Sequence, residues 1–138
     1  MKNMMKYLKV LFICSLVISL TSCEDDDNDN FIYDYLVGET WIGDLGFVDS
    51  YDDELESGLY FKGNGLGIDD QVYYDDPTGK VVFSLPFRWN IYNGILSIDY
   101  GSDYPLFEIY DVYITGNKIS GILYVDGRID GPIVLKRY

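Results

Sequence analysis

Apolar residues recur at every second position from Val81 to Ile91: Val81, Phe83, Leu85, Phe87, Trp89 and Ile91. Val82, Ser84, Pro86, Arg88 and Asn90 take the positions between. A period of two is that of a strand with one buried face and rules out a helix. Pro86 has no N–H to give a ladder, so it predicts an edge position or a bulge. Asn93-Gly94 follows, and Asn-Gly supplies the two positive φ angles of a type I′ turn. A two-residue loop there pairs Ile91 with Leu96, Trp89 with Ile98 and Phe87 with Tyr100. On the outer face it pairs Asn90 with Ser97 and Arg88 with Asp99. Apolar meets apolar and opposite charges meet, whereas a slip of one residue would invert both faces.

The same punctuation recurs along the chain. Phe31 to Gly38 fits either a short helical turn or an opening strand. A strand is predicted from about Thr40 to Phe47, followed by an acid-rich loop from Asp49 to Ser57. Leu59 to Lys62 leads through Asn64-Gly65, another expected type I′ turn, into Leu66 to Tyr74. After the Asp75–Gly79 loop and the hairpin above come Leu106 to Ile114 and Ile119 to Val125, joined at Gly116-Asn117. A loop from Asp126-Gly127 to Asp130-Gly131 precedes a last strand, Pro132 to Tyr138. About eight short strands joined in sequence, with no long crossover, predict an all-β, eight-stranded antiparallel up-and-down barrel over residues 31–138. Closure also removes the exposed edges that make aromatic sheets aggregate. The predicted inward set is Trp41, Phe61, Phe83, Phe87, Trp89 and Tyr100.

The N-terminal segment has a different pattern. Lys2, Lys6 and Lys9 precede an apolar run of eleven residues, Val10 to Leu20. That length suits the core of an export signal and falls short of the roughly 18–20 residues a membrane-spanning helix needs. The next residues, Leu20-Thr21-Ser22-Cys23, resemble the lipobox of bacterial lipoproteins. The resemblance implies a signal peptide over 1–22 and acyl chains on Cys23, which becomes the first residue of the mature chain. Cys14 lies in the segment to be discarded, so the mature chain is expected to form no internal disulfide.

Glu24, Asp25, Asp26 and Asp27, with Asn28-Asp29-Asn30, continue from the cysteine. With nothing apolar to bury, residues 23–30 are expected to be a solvated tether. Acidic residues in this place also resemble the surface-export signal of Bacteroidota lipoproteins, with Glu24, Asp25, Asp26 and Asp27 as the address. The expected location is the outer membrane, lipid-anchored, facing the cell exterior. Three of the ten basic residues precede Cys23, which leaves seven against 23 acidic residues and a net charge of −16. So acidic a chain disfavours nucleic acid and electrostatic attachment to anionic lipid, so the membrane is held through the acyl chains.

The barrel segment is similar to the small lipocalin-like domains of Bacteroidota lipoproteins. The residues that carry the likeness are Gly38 and Trp41, Leu59-Tyr60-Phe61 before one Asn-Gly turn, and Trp89-Asn90-Ile91 before the next.

Histidine is absent, which excludes a Ser-His-Asp triad, a Cys-His pair and a histidine zinc site, and the lipobox resemblance implies that Cys23 is not a free thiol. A carboxylate pair is the remaining catalytic option. Asp44, Asp52, Glu54, Glu108 and Asp111 are candidates, and nothing singles out two, so no enzyme is expected. No cofactor or metal is expected either. A calcium loop starting at Asp25 would need glycine and glutamate where Asn30 and Leu36 stand, and Asp69-Asp70 and Asp75-Asp76 read as strand-end and turn residues. What remains is an excess of aromatics: thirteen Tyr, six Phe and two Trp after Cys23. The inward set predicts a binding site for a small apolar or glycan ligand. The alternative is an accessory or scaffolding module of an outer-membrane protein complex, its barrel filled by those same rings.

Overall fold

A computed structural model describes residues 24–138, with side chains from Asn28 onward. The expected signal segment 1–22 and the expected lipidation site Cys23 lie outside the described residues, as do the side chains of Glu24 to Asp27, the expected export address. One helix, α1 (Glu24–Leu36), precedes eight strands: β1 (Thr40–Gly43), β2 (Leu55–Phe61), β3 (Leu66–Tyr73), β4 (Val81–Tyr92), β5 (Ile95–Asp99), β6 (Phe107–Thr115), β7 (Lys118–Val125) and β8 (Arg128–Arg137). Each strand pairs antiparallel with the next, and β8 returns to β1 through Trp41↔Arg137 and Ile42↔Lys136. The barrel is closed and up-and-down, as the alternation predicts.

The β4–β5 hairpin has the expected register, with Arg88↔Asp99, Trp89↔Ile98, Asn90↔Ser97 and Ile91↔Leu96. Asn93 (φ 52°) and Gly94 (φ 73°) both adopt the left-handed conformation that a type I′ turn demands. The β2–β3 connection differs from the expected two-residue turn. Phe61 pairs with Gly67, and the Lys62 N–H donates to the Leu66 carbonyl at 2.9 Å, so the loop is Gly63-Asn64-Gly65. Of these three only Gly65 has positive φ (76°). One residue more in the turn reverses which face of β3 points inward.

Two more boundaries move. β2 begins at Leu55, inside the predicted acidic loop. The Asp49 carboxylate shapes what is left of that loop, accepting from the Tyr51 and Asp53 amides at 2.8 and 3.0 Å and from the Tyr73 hydroxyl at 2.7 Å. The predicted loop over 126–131 is instead a two-residue turn, Asp126-Gly127, with Asp130 as an extra residue bulged within β8.

α1 takes in residues expected to form the tether. Acidic residues suit the first turn of a helix, where the macrodipole is positive. The helix lies across the barrel end that carries the β2–β3 and β4–β5 turns, burying Ile32 and Leu36. The Tyr33 ring stacks on Trp89 at 5.0 Å, and its hydroxyl donates to the Gly63 carbonyl. Asp29 accepts from the backbone N–H groups of Asn93 at 2.9 Å and Gly94 at 2.7 Å, so the acidic segment grips the hairpin turn. Hydrogen bonds to a charged acceptor contribute more than neutral ones. Asp29→Ala should therefore cost about 1–2 kcal/mol in urea unfolding and speed hydrogen exchange at Asn93 and Gly94. Asp29→Asn, which keeps an acceptor oxygen, should lose less. Equal exchange in all three proteins would show that Asp29 does not hold the turn.

Candidate functional site

Five of the six predicted inward aromatics are buried: Trp41, Phe61, Phe87, Trp89 and Tyr100. They pack ring against ring, Phe61 on Phe87 at 5.4 Å and on Trp89 at 5.1 Å, and Phe87 on Tyr100 at 5.7 Å. Phe47, from the β1–β2 connection, adds contacts to Tyr100 and Phe107 at 5.2 and 5.4 Å from the end opposite α1. An eight-stranded barrel is just wide enough for such side chains. These aromatics form a core with aliphatic neighbours such as Leu59, Ile98 and Leu123, so the inward set fills the barrel.

Phe83 is the exception, 46% exposed. β5 pairs only with Arg88–Tyr92, and a bulge near Val82 interrupts the β3–β4 ladder. The first half of β4 therefore stands beyond its neighbour, and Phe83 joins no inward cluster. Pro86 lies in this half, the edge position its missing N–H predicted.

The interior contains one polar cluster that the sequence did not announce. Asp69, expected at a strand end, sits within β3 with no exposed surface, beside buried Ser57 and Gln71. Its Oδ2 accepts from the Ser57 hydroxyl at 2.9 Å, the Gln71 amide at 3.0 Å and the Tyr100 hydroxyl at 2.8 Å. Oδ1 is buried and has no hydrogen-bond partner. Desolvation raises the Asp69 carboxyl above its ordinary range, against the lowering pull of hydrogen bonds from Gln71, Tyr100 and Ser57. Burial first, and then the Asp69 charge, raise the Tyr100 phenol, which stays a donor.

The same register explains the outside of the barrel. Gly67, Asp69 and Gln71 point in, which leaves Leu66, Ile68, Asp70, Val72 and Tyr74 outside. Gly67 is required there, because a Cβ would lie 2.2 Å from the Phe87 ring. β3 is thus polar inward and, apart from Asp70, apolar outward, the reverse of its neighbours. Asp70, Val72 and Tyr74 form part of a groove of about 460 Å³ across the outer faces of β1, β2 and β3. Gly58, paired with Ile42 and Asp70, forms the floor. Tyr74 and Pro77 stand at one end. Tyr138 stands at the other, its N–H donating to the Thr40 carbonyl at 3.0 Å. Partial burial, then the carboxylates of Asp44 and Glu56, push the Tyr74 phenol up to about 12. Counting residues in the β2–β3 turn would have exposed this face, had the sequence shown that the loop holds three residues and not two.

Of the carboxylates considered for catalysis, Asp52 and Glu54 line one open cleft with Asp53 and Asp75, whereas Glu108 and Asp111 lie on β6. Asp52 (φ 62°) lies in the β1–β2 connection and Asp111 (φ 52°) at the bulge of β6. Asp76 accepts from the Thr78 amide and hydroxyl within its own turn. Among the described residues no group of three or more His, Cys, Asp or Glu is placed to hold a metal ion. Comparison with family models, curated proteins and solved structures finds no match to this chain.

Proposed function

We propose that this chain is a lipid-anchored, surface-displayed, non-catalytic binding module that holds a protein partner against the outer wall of its barrel. One observation carries the reading: β3 turns Asp69 and Gln71 into the core and sets Leu66, Ile68, Val72 and Tyr74 on the outer wall around Asp70. Burying Asp69 and leaving Leu66 and Tyr74 exposed, with Ile68 and Val72 half-buried, both work against stability, at roughly 25 cal/mol for each Å² of apolar surface left in water. An apolar wall kept at that cost fits an interaction face. The filled interior favours this accessory-module reading over a ligand carried within the barrel.

Tyr74, at the end of β3, and Tyr113, on β6 across the barrel from β2, are both exposed probes. On intact cells a membrane-impermeant maleimide should label Tyr113→Cys and spare Tyr74→Cys, whereas both purified proteins should label. Equal labelling on cells would remove the outer-wall reading.

The anchoring half of the proposal rests on residues 20–27. Cys23→Ala should abolish palmitate incorporation and release the chain from membranes or leave it unprocessed. Label that persists would exclude Cys23 as the acylated residue. Replacing Glu24, Asp25, Asp26 and Asp27 together with Ala should leave a lipidated protein that protease added to intact cells no longer reaches. Unchanged digestion would reduce the run to the start of α1.

A further inference from the structure

We propose that the groove over β1–β3 takes a short extended polypeptide segment that carries lysine or arginine. This rests on the outer-wall reading and names the partner chemistry for it. The groove follows the β3 side from Asp70 to Tyr74, about 13 Å at the strand rise, which matches roughly four extended residues. Its lining is apolar at Ile42, Val72, Tyr74 and Pro77, and it is charged only through the carboxylates of Glu56, Asp70 and Asp76. No lysine or arginine lines it. Lys80 lies outside the lining, beside Asp76 at the loop end. Asp70 is oriented by the Ser84 hydroxyl, which donates to its Oδ1 at 2.5 Å. Burial first, and then the carboxylates of Asp44, Glu56 and Glu54, raise the Tyr74 phenol at the same end of the groove.

These features fit one kind of side chain. Lysine and arginine bury their aliphatic stems along apolar surface while the charged head reaches a carboxylate. A tyrosine face adds a cation–π contact to the same head. An acidic segment would meet three carboxylates within the groove, with Lys80 beside Asp76 and Lys136 across from Ile42 only at its margins. A purely apolar segment would leave Glu56 and Asp70 desolvated and unpaired, which is costly. Gly58 supplies the depth: with no side chain on the floor, a partner backbone can approach between Ile42 and Asp70.

The test uses the full chain in detergent micelles and a fluorescein-labelled Lys-Val-Lys-Val-Lys-Val peptide, read by anisotropy. Saturable binding is expected, weakening at least tenfold between 50 and 500 mM salt as the charges are screened. The Glu56→Gln/Asp70→Asn pair should lower affinity at least tenfold and flatten the salt dependence, with an unchanged melting curve. Gly58→Val, which fills the floor, should abolish binding; its added Cβ meets the Asp70 carbonyl at 3.1 Å, so its folding is checked by circular dichroism. Glu108→Gln, on β6, should bind as the parent does. The proposal is overturned if the Glu-Val counterpart binds equally, if the double variant binds normally, if neutral maltohexaose competes, or if no peptide binds. Should Tyr74→Cys be protected on cells while the lysine peptide fails, the outer wall is still a docking face and only the basic segment is wrong.

Discussion

Trp89→Ala is expected to destabilise the fold by about 3–5 kcal/mol, a large share of the 5–15 kcal/mol available to a domain of this size. The indole is almost fully buried, with Tyr33 stacked on one side at 5.0 Å and Phe61 edge-on at 5.1 Å. Its Nε1 donates to the carbonyls of Lys62 at 3.1 Å and Leu66 at 2.9 Å, which ties β4 to the turn that sets the register of β3. Truncation therefore removes core volume and loosens two contacts at once, the seat of α1 and the three-residue turn. Arg88→Ala, one position along, should cost well under 1 kcal/mol, because its side chain is exposed opposite Asp99. Urea unfolding followed by circular dichroism separates the two. If Arg88→Ala were the more damaging change, the faces of β4 would be inverted and the filled core with them.

That contrast was legible in the sequence because two local signals agree along β4 and β5. The period of two gives the faces, and Asn93-Gly94 gives the register. Elsewhere only one signal was present. At Asn64-Gly65 the dipeptide reads as a two-residue turn, yet the preceding Gly63 lets the loop take three residues, and a count of one decides which face of β3 is buried. Phe61, Phe87 and Trp89 already occupy the lumen at that level, so glycine and not Ile68 is the residue that fits against Phe87. Asp69 could not be placed inside from its neighbours, since Asp69-Asp70-Gln71 is surface-like in composition and only the barrel register buries alternate members. Phe83 failed for another reason: alternation along β4 says nothing of how far β5 extends beside it. The acidic start of α1 has no apolar residue to reveal its packing. Its hold on the barrel runs through Asp29 and two backbone amides, a contact across 64 and 65 residues of sequence.

Asp69 carries the second large effect, and its sign depends on pH. Desolvation raises its folded-state value above the unfolded 3.8, and hydrogen bonds from Gln71, Tyr100 and Ser57 offset this only in part. A carboxyl raised on folding holds its proton more tightly in the native state. Its contribution to stability is complete below pH 3.8 and is lost as pH rises through the folded-state value. Asp69→Asn keeps one oxygen to accept the three donors and has no charge to bury. The variant should therefore gain on the parent as pH rises from 4 toward 8, by at most about 1.4 kcal/mol per pH unit until the folded-state value is passed. All 23 acidic residues repel one another less in acid, so the difference between the two proteins, not either curve alone, isolates this carboxyl. Asp69→Leu should behave otherwise. It strands the buried donors of Ser57, Gln71 and Tyr100, each costing about 1–3 kcal/mol unpaired, and should be the least stable of the three at every pH. A flat difference between Asp69→Asn and the parent across that range, or a leucine variant more stable than the asparagine one, would mean that the polar row of β3 is not held inside the barrel by this carboxylate.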